Sequence, residues 1–133
     1  MSSPSQRAQL VMRVRGENSV TECRVDNIPY PEFRIRALSK WRDASAGDIP
    51  GDMISLYRFW SHFLARHFDL EMFEEFRAYA VADATGERVN IVGLENLIAY
   101  YEAVIQGDED ILLDNIEFLY EEAKELVSKA QIS

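Results

Sequence analysis

Residues 55–68 read SLYRFWSHFLARHF, a stretch crowded with rings and histidines among which sit two arginines, Arg58 and Arg66. From just upstream, Met53, Leu56, Phe59/Trp60, Phe63/Leu64 and His67 return every three or four positions. That interval stacks side chains on one broad face of an α-helix, and the spacing predicts a helix starting near Asp52. Ser55, Arg58, His62, Ala65/Arg66 and Asp69 form a second stripe opposite Trp60, Phe63 and Leu64. Most of the rings are therefore expected in the core, with Arg58, His62 and Arg66 on the polar side. An arginine beside a flat ring on such a face can stack a base or clamp a phosphate. The ordinary reading is that Arg58 pairs with Glu74, Glu75 or another acid of a neighbouring helix.

Similar periods extend in both directions. Phe33, Ala37, Leu38 and Trp41 give a helix from Tyr30, with Pro29 and Pro31 suiting its start because a first-turn proline gives up no helical hydrogen bond. DASAGDIPGD at 43–52 should end it. Asp69 is the expected N-cap of a third helix that buries Leu70, Phe73, Phe76, the Arg77 stem and Ala80 and ends at Gly86. A fourth, from about Ile91 to Ile105, turns Leu94, Leu97/Ile98, Tyr101 and Val104/Ile105 inward. Asp110 can cap a fifth that carries Leu112, Ile116, Leu119/Tyr120, Ala123 and Leu126. Gly86, Gly93 and Gly107 read as helix punctuation. LYRFWSHFL at 56–64 is echoed by LIAYYEAVI at 97–105, and an offset of about 40 residues is that of stacked helical repeats. The expectation is an all-α domain over residues 30–133, a short α-solenoid of about five helices in helix–turn–helix units. Residues 1–29 are an N-terminal extension. RVRGENSVTECRV at 13–25 can make a hairpin around residues 16–18, with a flexible tail or linker as the open alternative.

Composition sets bounds on function. The 133 residues carry a net charge of −9, divided as 8 Lys/Arg against 6 Asp/Glu in residues 1–50 and 6 against 17 in residues 51–133. A duplex binder that works by phosphate neutralisation is normally basic, so a nucleic-acid site must be local and lie on the less acidic half. No stretch is apolar enough to span a membrane, and MSSPSQRAQ lacks the apolar core of a secretory signal. With one cysteine, Cys23, a cytoplasmic address is the default, with a nuclear one open. His62 and His67 are five apart and diverge around a helix, so no metal or other cofactor is expected. The acidic run GDEDILLD at 107–114 lacks the alternating acceptors of a calcium loop. No nucleophile–base pair or phosphate loop appears, which speaks against an enzyme and a small-molecule substrate.

The long, nearly gapless run LYRFWSHFLARHFDLEMFEEFRAYAVADA at 56–84, followed by VGLENLIAYYEAVI at 92–105, resembles the C-terminal helical-repeat domain (tandem DM repeat, HEAT-like) of La-related translation regulators. YPEFRIRAL at 30–38 is similar to the end of that family's first repeat, so the likeness covers about residues 30–106. It implies a HEAT-like solenoid and association with mRNA, whose methylguanosine cap and adjacent pyrimidine the family's domain binds. The family's first full repeat uses an arginine, an aromatic four later and an arginine seven later. Those positions are Arg58, His62 and Ala65 here, with Arg66 one step on. Arginine, tyrosine and glutamate of the next repeat correspond to Ala99, Ala103 and Gln106. A methylated guanine is a delocalised cation held between aromatic faces, with a carboxylate on its Watson–Crick edge. Ala103 supplies no ring and Gln106 no charge, so a cap pocket is not expected. Two functions remain. One is a non-catalytic module binding single-stranded RNA, independently of the cap, through Arg34, Arg36, Arg58, His62 and Arg66. The other is a protein-interaction scaffold docking a partner subunit or peptide on its acidic helical surface within an RNA-regulating complex.

Overall fold

The computed structural model describes residues 11–18, 22–45, 48–86, 89–107 and 115–132; up to residue 27, and at residue 132, it describes backbone alone. Strands β1 (Val11–Asn18) and β2 (Glu22–Pro29) form an antiparallel pair in the register Val11↔Pro29 to Asn18↔Glu22. Five helices follow: α1 (Tyr30–Asp43), α2 (Gly51–Arg66), α3 (Leu70–Thr85), α4 (Val92–Gln106) and α5 (Ile116–Ile132). The hairpin expected around residues 16–18 is present but displaced. Gly16 sits inside β1 opposite Arg24, and the two strands connect through residues 19–21. The proposed cap Asp110 and the proposed core residue Leu112 lie outside the described residues.

The helices form two layers. α2 packs on α4, while α1, α3 and α5 flank them, α3 touching α2, α4 and α5. α2 starts 41 residues before α4, the period of the sequence echo. The flanking helices are tied by one repeated rung. Arg34 of α1 donates to Glu75 of α3 at 2.6 and 2.5 Å, and Arg77 of α3 pairs with Glu122 of α5. The same residue pair thus joins successive units, as nearest-neighbour stacking in a helical-repeat solenoid requires.

α2 is the central element because it meets α1, α3 and α4, so its buried arc is wider than one stripe. Met53, Leu56, Tyr57, Trp60, Ser61 and Leu64 are buried, Phe59 and Phe63 are half-buried, and His67 is an exposed C-cap. Around Trp60, Phe76 lies at 5.5 Å and Tyr57 at 6.0 Å between ring centroids. The indole N–H donates to the Tyr30 hydroxyl at 3.0 Å. Such ring pairs add ~0.5–1.5 kcal/mol each beyond area burial. Two inward assignments are corrected: Leu70 is 56% exposed and Ile105 45% exposed. Leu70 opens α3 and Ile105 falls in the last turn of α4, beyond the reach of the packed layers.

Gly93, read from sequence as helix punctuation, instead lies buried in the first turn of α4. A Cβ there would stand 2.7 Å from Tyr57 Cζ and 2.9 Å from Ala80 Cα. The absent side chain is what lets α4 approach α2 and α3. Gly93→Ala gains helix propensity but must displace a backbone atom and a buried ring. Overpacking of this kind costs ~1–3 kcal/mol, so the variant should unfold at lower denaturant with an unchanged m-value.

Candidate nucleic-acid interface

The five cations singled out in the sequence separate into two groups. Arg34 and Arg36 lie on α1 and both are committed across helices. Besides the Arg34–Glu75 pair, Arg36 donates to Asp52 at 2.9 and 3.3 Å, and Lys40 reaches the same carboxylate at 2.7 Å. Burial pushes the Asp52 carboxyl up, but hydrogen bonds from Arg36 and Lys40, with their charges, outweigh it and hold the group below its ordinary 3.8. The Glu75 bond, outweighing desolvation, likewise raises Arg34 further above its usual range.

Arg58, His62 and Arg66 are different. All three are exposed on one side of α2, at positions i, i+4 and i+8. Among the described residues none of their side chains forms a hydrogen bond or an ion pair. The pairing of Arg58 with Glu74 or Glu75 suggested by residue chemistry does not occur, since Glu75 is taken by Arg34. Arg58 lines an open hollow of about 280 Å³ together with Ile54, Val92, Glu95 and Asn96, where α2 meets the start of α4. Asn90 shapes that start by accepting from the Val92 N–H, and Asn96 donates to the Val92 carbonyl.

The start of α4 faces Arg58 across that hollow. Further along α4, Ala99, Ala103 and Gln106 are exposed, and Ala65 on α2 is half-buried. None of these three α4 positions brings a ring or a charge. Among the described residues no three His, Cys, Asp or Glu groups are placed to hold a metal ion, and no helix is long and apolar enough to cross a membrane.

Behind the site is an arrangement that sequence reasoning missed. The Asp83 carboxylate on α3 accepts from Trp41 Nε1 at 2.7 Å and from the Tyr57 hydroxyl at 2.6 Å, joining α1, α2 and α3. Its backbone carbonyl accepts from Asn90 N–H at 2.8 Å and so fixes the approach to α4. Burial, then the Asp83 bond and charge, push the Tyr57 hydroxyl far above the usual tyrosine range, so it remains a donor. A signal was available: Asp83 falls on the same stripe as Phe76 and Ala80, and a carboxylate on a buried face requires donors.

Paired two-layer helices, a 41-residue period and repeated Arg–Glu rungs define a HEAT-like helical-repeat module. Residues 18–125 match the LARP1 HEAT repeat region, and the chain belongs to that family. The match includes β2, so the family's segment extends upstream of the resemblance legible from Tyr30 onward.

The Asp52 cluster generates a pH prediction. A carboxyl held low in the folded state stabilises the fold fully above its ordinary pKa, and that contribution disappears as pH falls through the lower folded value. Asp52→Asn should therefore cost ~1 kcal/mol at neutral pH, as a multi-donor but largely surface cluster does. Thermal midpoints of variant and parent should converge below pH 3.8.

Proposed function

We propose that this chain is a non-catalytic, RNA-associated module of the La-related type that binds single-stranded RNA on the exposed stripe of α2, without recognising the cap. The observation that carries this reading is the unpaired state of Arg58, His62 and Arg66 on one helical face, in a chain whose Arg34 and Arg36 on α1 are committed to ion pairs. Unpaired arginines side by side supply phosphate contacts at no cost in broken ion pairs. Membership of the LARP1 HEAT repeat family supports an association with RNA and a cytoplasmic place of action. Ala99, Ala103 and Gln106 on α4 support the loss of cap recognition, because none of these three side chains can sandwich a methylguanine or set a carboxylate on its edge.

The acidity of the remaining surface favours a second reading, in which the module docks a protein partner. Glu74, Glu102, Glu121 and Glu125 are all exposed, and Phe118 on α5 is 66% exposed. That surface leaves the α2 stripe unused, whereas RNA binding uses it, which makes Arg58 the discriminating residue.

Fluorescence anisotropy with capped and uncapped single-stranded RNA at low salt tests the proposal. Both RNAs should bind equally. Two arginine–phosphate contacts on a single strand give a slope of about −1.4 for log affinity against log salt, at about −0.7 per contact. Arg58→Glu, which is exposed and leaves the fold intact, should reduce binding to background. Binding indifferent to that charge reversal rejects the RNA interface, and a strong preference for the capped oligomer rejects the loss of cap recognition.

A further inference from the structure

Along the flank of α2, next to the arginine stripe, runs a continuous row of rings. Tyr30 stands 5.1 Å from Phe59, Phe59 stacks on Phe63 at 5.4 Å with 23° between planes, and Phe63 meets His67 at 5.4 Å. Phe59 and Phe63 follow at i and i+4, and His67 at i+8 extends the row beyond the last helical residue, Arg66. The row begins in the core, at a Tyr30 that is only 6% exposed, passes through two half-buried rings and ends at an exposed imidazole. Its outer end is held firmly. The His67 N–H donates to the Phe63 carbonyl at 2.8 Å, Phe68 packs against Phe73 at 6.1 Å, and Asp69 caps α3 by accepting from the Met72 N–H at 3.0 Å.

A stack of rings that emerges from a core and stops at a polar aromatic presents a surface suited to one more planar polar group. Nucleobases fit that description, and base–aromatic stacking tolerates sequence because every base has a π-face. The neighbouring charges favour the same ligand. Arg66 is adjacent to His67 in the chain, and Arg58 lies ~12 Å back along the helix at 1.5 Å per residue. Phosphates following those cations would bring a base to the end of the ring row. An apolar peptide would find an imidazole flanked by a guanidinium there, a poorer match.

We propose that His67 is a stacking platform for a base of single-stranded RNA whose phosphates run along Arg58, His62 and Arg66. This rests on the RNA-binding reading above and adds to it a contact with the base itself. It predicts a preference for purines over pyrimidines, since larger rings stack more strongly, and a loss of affinity for RNA that lacks bases.

The test uses the whole 133-residue chain with oligoadenylate, oligouridylate and an abasic oligomer of equal length. His67→Ala and His67→Phe are compared, with thermal midpoints confirming that both exposed-site variants fold. Wild type should bind oligoadenylate most tightly and the abasic oligomer about tenfold more weakly, the scale of a single stacked base. His67→Ala should bind all three alike, whereas His67→Phe, which keeps a ring, should restore the order. If His67→Ala leaves the order unchanged while Arg58→Glu abolishes binding, the stacking role is overturned and the phosphate stripe stands. If wild type binds none of the oligomers, both are overturned.

Discussion

One carboxylate organises this small solenoid. Asp83 on α3 receives Trp41 from α1 and Tyr57 from α2, while its main chain receives Asn90 ahead of α4. A half-buried carboxylate with two good donors is stable, and losing one donor removes a hydrogen bond to a charged group, at ~1.5–3 kcal/mol. The arrangement therefore fixes the relative placement of three helices more tightly than apolar packing alone would. Tyr57 carries the constraint further, because its ring is the surface against which Gly93 brings α4 into contact. The distance between α2 and α4, and hence the shape of the hollow beside Arg58, depends on that ring being held in place.

Helices were legible in the sequence because their apolar residues recur at helical intervals and because their ends carry chemical marks. Pro29 and Pro31 start α1, and Asp69 caps α3 as its position implied. Tyr57 was less legible: a single-stripe reading places Leu56 and Trp60 inward and leaves Tyr57 unassigned, whereas a helix with three neighbours buries it completely. Gly93 read as helix punctuation since a glycine's role in close packing depends on partners far along the chain, here Tyr57 and Ala80. The hairpin was found but shifted, because Gly16 can serve either a turn or a strand and only cross-strand pairing decides.

The candidate interface was partly legible for a similar reason. Residue type and spacing place Arg58, His62 and Arg66 on one face, and all three are exposed there. They cannot say which arginines are already taken. Glu75 had been an obvious partner for Arg58, yet Arg34 reaches it from α1, and Asp52 gathers Arg36 and Lys40. The structural arginines work as rungs between repeats, and the Arg77–Glu122 pair repeats the Arg34–Glu75 pair one unit on. Among the described residues the exposed Arg42 and the short cationic stripe of α2 remain unpaired, on a chain of net charge −9. Electrostatic repulsion from the rest of the surface would then confine RNA to that stripe.

The central claim, that the α2 stripe is the RNA-facing surface while Arg34 and Arg36 of α1 are structural, is tested most directly by backbone amide chemical-shift mapping. Titrating uncapped single-stranded RNA into the isotopically labelled protein should move the resonances of α2 from Arg58 to His67 and those at the start of α4. The signals around Arg34, Arg36 and the exposed face of α5 should stay in place. Shifts centred on α1 or α5, or none at all at saturating RNA, would contradict the account.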